Sequence, residues 1–164
     1  MPVRLQLLDG PVLQALVDGD LAGARRAAGG LALPEEFLAD TWLWTLRLGQ
    51  LIGEPDDAPW LVRAVVVGER DVVGHAGFHG PPDARGMVEV GYRIVPARRR
   101  QGHARAALAE LLAYASAHGA RVARASISPE NAASLALAAS FGFTRVGEQV
   151  DEIDGLELLF EVQI

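Results

Sequence analysis

The sequence predicts a mixed α/β fold, and three observations carry that expectation. Residues 87–118 read as an alternating apolar strand, an arginine-rich turn and an alanine-rich helix in direct succession. Two β-rich runs, 60–67 and 72–78, flank a short Gly68-Glu69-Arg70-Asp71 connection and read as an antiparallel hairpin. Helical and extended patterns then alternate on either side, giving the order β-α-α-β-β-β-α-β-α-β-β. At 164 residues, half of them apolar, the chain can bury a sizeable core as one domain.

Taken in order, residues 3–8 form a first strand closed by Asp9-Gly10-Pro11. Leu13, Leu16, Val17 and Leu21 have helical spacing, and the small residues of 25–30 read as a loop. A helix is predicted over 34–53, because Pro34 suits a helix start and Glu35 and Glu36 favour its positive dipole end. Phe37, Thr41, Trp44, Leu48 and Leu51 then give a helix ending near Gly53, and residues 54–59 read as a surface loop. The hairpin follows, and Gly80-Pro81-Pro82-Asp83 turns the chain into the central strand. There Val88, Val90, Tyr92 and Ile94 alternate with Glu89, Gly91, Arg93 and Val95. Pro96 ends the strand for want of an N–H. Leu108, Leu111, Leu112 and Ala115 mark the buried face of the next helix, which Gly119 stops. Residues 121–127 read as a strand, and a helix is predicted from Ser128-Pro129-Glu130-Asn131 with Pro129 in its first turn. Leu135, Ala138 and Ala139 are its candidate core positions. Residues 143–150 and 156–162 form a last hairpin around Asp154-Gly155.

The turn before the central helix points to chemistry. No Ser, Thr, Asp or Asn is placed to cap that helix; the residues are Arg99, Arg100, Gln101, Gly102 and His103. Uncapped N–H groups, a positive helix dipole, a permissive glycine and successive arginines suit an anion, phosphate above all. A basic solvated loop is the plainer alternative.

Composition narrows the rest. The chain has no cysteine, so neither disulfides nor thiolate chemistry is available to it. His75 and His79 are four apart but stand among Gly74, Gly77 and Gly80, which argues against a helical ligand pair, so no metal is expected. The net charge of −6 disfavours nucleic acid as a partner. Neither a signal-like amino terminus nor a stretch of membrane-spanning length is apparent, so a cytoplasmic protein without a membrane partner is expected.

The run Arg99-Arg100-Gln101-Gly102-His103-Ala104 resembles the pyrophosphate loop of the GCN5-related N-acetyltransferases (GNAT), whose pattern is Gln/Arg-x-x-Gly-x-Gly/Ala. Three further pieces stand in the order of that family: Val88-Glu89-Val90-Gly91-Tyr92, then Pro129-Glu130-Asn131 with Ser134, then Phe141-Gly142-Phe143 with Val146-Gly147-Glu148. The likeness covers nearly the whole chain and is nearest the branch of ribosomal-protein N-acetyltransferases. It implies one GNAT domain over 1–164, with a mostly antiparallel central sheet flanked by helices.

The resemblance also implies acetyl-CoA as cosubstrate and a primary amine, on a protein N-terminus or a small molecule, as acceptor. The pyrophosphate would lie on the N–H groups from Arg100 to Ala104, with Arg99 on a defining position. The backbone around Ile94 and Val95 would pair with the pantetheine amides where that strand splays from 121–127, and Asn131 would contact the arm or cap its helix. Many relatives carry an acidic tyrosine where this chain has Ala138. Ser134 is the candidate substitute, and a non-catalytic acyl-CoA-binding domain is the alternative. Glu89 is the candidate base, with His75 and His79 in reserve. Trp42, Trp44, Glu54, Asp56 and Asp57 fall in the region that shapes the acceptor pocket of relatives. Sparse proton-handling machinery favours an α-amino group, which is less basic than a lysine by roughly two to three pKa units. A homodimer is left open.

Overall fold

The computed structural model describes residues 2–164. Seven strands form one sheet in the order β1-β2-β3-β4-β5-β7-β6. They are β1 (Val3–Leu7), β2 (Val62–Val67), β3 (Asp71–Phe78), β4 (Met87–Ile94), β5 (Val122–Ile127), β6 (Thr144–Asp151) and β7 (Gly155–Gln163). All neighbours are antiparallel except β4 and β5, which run parallel. That pair needs a crossover, supplied by α4 (His103–Ala117). The expected hairpins, β2–β3 and β6–β7, are both present.

Both faces of the sheet are covered at β2, which is buried along its whole length. Val65 and Val67 point into a cluster with Leu108, Leu111 and Ala115 of α4. Val62, Ala64 and Val66 point the other way, against α1 (Gly10–Val17), α2 (Leu21–Ala27) and α3 (Thr41–Gly53). The second face carries Leu13, Leu16, Phe37 and Trp44, all fully buried, with Leu48 and Leu51 half-buried and Thr41 of the same helical pattern exposed.

Four boundaries differ from the sequence expectation, each for a local reason. Residues 25–30 are not all loop, since α2 runs to Ala27. Asp20 caps it by accepting from the Gly23 N–H at 2.8 Å, and Ala24 packs inward without exposure. The helix expected over 34–53 opens with a 3₁₀ segment, Glu35–Asp40, before α3. Residues 54–59 are ordered as a second 3₁₀ turn, Pro55–Trp60. Finally α5 (Ala132–Ser140) begins after Pro129, because the Asn131 side chain caps it by accepting from the Ser134 N–H at 3.1 Å. On α5 Ala138 is buried, Leu135 is half-buried, and Ala139, expected in the core, is exposed.

Asp40 ties the helical face to the sheet. It is 5% exposed at the start of α3, accepts from Arg93 of β4 at 2.9 Å and meets His75 Nε2 of β3 at 3.4 Å. His75 itself is packed edge-on between the rings of Phe37 and Trp44, with centroids 5.6 and 5.1 Å away. Burial pushes the Asp40 carboxyl up, but contact with His75 and the charge of Arg93 outweigh it and leave the pKa lowered. A carboxylate lowered on folding stabilises above its unfolded pKa, about 3.9, and loses that contribution as pH falls through its folded value. Asp40→Asn is therefore expected to cost about 1–3 kcal/mol at pH 7. Thermal melting from pH 7 down to about pH 2 should show the variant losing less stability below about pH 4 than the parent does.

Candidate active site

The site begins where β4 and β5 part. Their parallel pairing covers only Met87↔Val122, Val88↔Ala123 and Glu89↔Arg124. Beyond it β4 stays with β3 as far as Ile94↔Gly74, while β5 stays with β7 as far as Ile127↔Leu158. A slot opens between two strands that each keep one partner. The Val95 N–H donates to Val73 O and the His79 N–H to Glu89 O, both at 2.9 Å, so the backbone of the odd-numbered residues faces β3. By strand alternation Tyr92 and Ile94 turn theirs to the slot. Val95 is spent on β3 and on the Arg98 N–H, and Ile94 O already accepts from Arg99 Nε at 2.9 Å.

At the mouth of the slot lies the arginine turn. Gly102 occupies the N-cap position of α4 at φ +82° with no side-chain cap, and Arg100 also has a positive φ of 60°. The first amide that bonds into the helix from here is that of Ala106, to Gly102 O at 3.0 Å. Among the described residues, the N–H groups from Arg100 to Arg105 find no protein acceptor. Left-handed backbone at two positions gathers such amides into a concave anion nest. Arg98 is ion-paired with Asp71 and Arg99 is spent on Ile94, which leaves Arg100 exposed and unpaired. His103 is buried; burial, then the nearby Arg98 charge, lowers its pKa, so the ring is neutral at pH 7. Gln101 contacts its Nε2 at 3.3 Å, and Ala104 lines the same groove.

Glu89 is half-buried rather than free in solvent. The Ser126 hydroxyl of β5 donates to its Oε1 at 2.5 Å, and His79 Nδ1 stands 3.5 Å from Oε2. Burial pushes its pKa up, yet His79, the Ser126 hydroxyl and the Arg124 charge together bring it below the ordinary value. It is therefore a carboxylate at neutral pH. Gly91 leaves room for the imidazole, since a Cβ there would come within 3.1 Å of His79 Nε2. His75, the other reserve base, borders the same cavity but is only 9% exposed and is packed against Asp40, Phe37 and Trp44.

Two cavities meet at the parted strands. One runs along the arginine turn and the start of α5; the other lies between α3 and the β6–β7 hairpin. Tyr92, Asn131 and Ser134 line both. The Tyr92 phenol faces Ser134; burial raises its pKa, and Ser134 pulls it partly back. Asn131 serves as the α5 cap, but it also stands at the junction. Trp42 lines the cavity between α3 and the β6–β7 hairpin, whereas Trp44 is fully buried core. Glu54, Asp56 and Asp57 do not line it; the 3₁₀ turn carries them elsewhere, and its acidic wall comes from Asp151, Asp154 and Glu157. Tyr92, Arg47, Ser126 and this hairpin were not singled out from sequence as site residues. Only Tyr92 left a signal there, as the one polar group in the inward-facing set of β4.

Among the described residues, no three His, Asp or Glu side chains gather as metal ligands, and no helix is long and apolar enough to cross a membrane. A sheet parted at its parallel junction, with an amide nest at the head of the crossover helix, defines the class of acyl-CoA N-acyltransferase folds. Residues 24–144 match the family model of the acetyltransferase (GNAT) domain. The chain belongs to the GNAT family and is by class an acetyl-CoA-dependent acetyltransferase.

Solved structures agree in fold. A ribosomal-protein-S5-alanine acetyltransferase from Vibrio fischeri is similar at 17% identity and TM-score 0.69, covering 99% of this chain and 93% of that one. A phosphinothricin acetyltransferase from Sinorhizobium meliloti, solved with AcCoA, matches at 20% identity and TM-score 0.67, covering 100% and 89%. A ribosomal-protein-alanine N-acetyltransferase from Brucella melitensis gives 24% identity and TM-score 0.63, covering 98% and 99%. No curated protein matches the sequence.

The nest makes one prediction. Nothing in the protein lies within 4 Å of a Cβ built on Gly102, so a valine would project into the open groove and would also strain the left-handed backbone. Gly102→Val should weaken acetyl-CoA binding at least about tenfold by calorimetry. Its melting point should fall only by the few degrees that about 1–2 kcal/mol of strain implies.

Proposed function

We propose that this protein acetylates a primary amine by direct attack on acetyl-CoA, and that α-amino groups are preferred. The observation that carries the reading is the junction: an anion-binding groove and an acceptor cavity open onto each other at Tyr92 and Ser134, beside ionised Glu89. The amides from Arg100 to Ala104 would hold the pyrophosphate, with Arg100 adding charge and Arg99, Gln101 and His103 shaping the turn. An extended pantetheine arm can add to the open strand edge as a peptide strand does. There the free backbone groups belong to Tyr92 and, by its N–H, Ile94; Val95 supports the strand instead.

Acetyl-CoA supplies an activated acyl thioester. In the transfer the amine lone pair forms a bond to the carbonyl carbon and the carbon–sulfur bond breaks. The amine gives up a proton and the departing sulfur can take one. The proton leaving nitrogen goes to the Glu89–His79 pair. A carboxylate with a lowered pKa is a weak base alone, but it stabilises the imidazolium formed beside it. On the leaving-group side, Tyr92 with Ser134 answers the alanine at position 138. A phenol whose pKa is raised stays protonated and can donate, and thiolates of pKa near 8.5 need little help. This geometry favours a working enzyme over a silent acyl-CoA-binding domain.

Glu89→Gln should lower kcat about 10²–10⁴-fold with acetyl-CoA affinity nearly unchanged. Tyr92→Phe should lower kcat far less, about tenfold or under, since a thiolate leaves adequately unaided. Glu89→Gln retaining full turnover would make that residue structural.

Acceptor choice follows from proton cost. Freeing a lysine-type amine at pH 7 costs roughly 4.6 kcal/mol, a peptide α-amine only about 1.4 kcal/mol. Matched peptide pairs, one member with only a free N-terminus and the other acetylated there but carrying a lysine, offer one amine each. CoA release at pH 7 should be faster with the α-amine member of each pair. Release only with ε-amines would defeat the preference, and release with no amine would return the protein to a binding role.

A further inference from the structure

The amine-transfer reading leaves open what else the acceptor carries, and the two buried arginines bear on that. Arg63 is 4% exposed and satisfied: it donates to Leu61 O at 3.0 Å and to Pro59 O, and lies 4.6 Å from the Tyr114 ring centre and 5.6 Å from that of Phe78. Arg47 of α3 is 7% exposed and differs. Its one hydrogen bond among the described residues goes to the neutral Gln50 Oε1, at 2.7 Å, and no carboxylate ion-pairs with it. None of its nitrogens is sealed away from solvent without a partner, so the remaining donors open onto the acceptor cavity that Arg47 lines.

A buried guanidinium with five donors and one neutral acceptor lacks its complement. It is also held in place, because Gln50 Nε2 donates at 2.9 Å to the carbonyl of His79, the residue after β3, and so anchors the Arg47 contact to the end of that strand. The other charges of the cavity are arranged to suit. Asp40 is consumed by Arg93 and His75, so it does not compete for Arg47. Glu89, whose charge Arg47 feels across the cavity, is a carboxylate on the same space, positioned by Ser126 and His79, that an ammonium group can face. Arg47 and Glu89 thus put a buried cation and a carboxylate on one space, which Arg99, Asp151, Asp154 and Glu157 also border; both signs suit a zwitterion, and a guanidinium fork matches a carboxylate.

We propose that Arg47 is the receptor for a carboxylate carried by the acceptor, and that the acceptor is a free α-amino acid bound with its carboxylate on Arg47 and its amine towards Glu89. The proposal rests on the amine-transfer reading for its chemistry, but its test does not need turnover. A panel of L-amino acids and their C-terminal amides would be titrated into the CoA-saturated protein by calorimetry, with CoA release from acetyl-CoA measured separately. Amidation lowers amine basicity and so by itself favours reaction of the amide; a preference for the acid must come from the carboxylate.

At least one acid should bind at least about tenfold more tightly than its amide, the scale of one charge-assisted contact. In Arg47→Gln that preference should vanish, with KM for the acid raised about tenfold or more and acetyl-CoA affinity retained as the sign of an intact fold. If the variant does not fold, the acid and amide pairs on the parent protein still decide. Equal binding of acid and amide throughout, or no binding by any member of the panel, overturns the proposal. Selective binding without CoA release would uphold it while removing the transferase reading.

Discussion

Everything at the site depends on β4 keeping β3 along one edge while losing β5 from the other. A parallel pair that ran on past Glu89↔Arg124 would bury the backbone of Tyr92 and Ile94 in ladder bonds and leave no slot. Because β5 remains paired to β7, the opening does not unravel the sheet. The slot thus exposes backbone donors and acceptors without the instability of a free edge. It also sets the two cavities side by side, since both border the end of β4 and one reaches across the opening to β5.

Charge is distributed around that opening with little waste. Asp40 is neutralised by Arg93 and His75 and works as a tie between α3 and the sheet. Glu89 is buried enough to be fixed, yet is kept ionised by His79, Ser126 and Arg124. Ser126 is in turn approached by Gln149 of the β6–β7 hairpin at 3.5 Å, so the last hairpin bears on the carboxylate as well as on the cavity wall. Ion pairs on the surface, such as Arg145 with Glu148, contribute little beside these.

Several parts of this arrangement were legible as pattern. The alternation in 87–95 fixes which side chains of β4 face α4, and so places Glu89 opposite the apolar set. The missing cap before α4 is visible as the absence of a residue type, and the free amides of the nest follow from it. Local patterns misled where small residues are ambiguous: Ala24 belongs to a helix because α1 is there to receive it, and Ala139 is exposed because α5 turns only one side inward. Asn131 was readable as either cap or contact, and its position makes it the cap of α5 at the border of both cavities.

The sequence alone determined the elements, their order, the anion loop and the family resemblance, because these rest on spacing between near neighbours along the chain. It could not say that Glu89 meets Ser126 and His79, that Tyr92 faces Ser134, or that Arg47 is buried without a carboxylate. Each of those contacts joins residues of different elements. Only the order and register of the strands, and the angle at which β4 leaves β5, bring them together. The acidic wall shows the same division: chain order pointed to Glu54, Asp56 and Asp57, but the folded hairpin brings Asp151, Asp154 and Glu157 to the cavity instead. Pairing across a sheet is decided by which hydrophobic faces can be buried together, and that is a property of the whole chain.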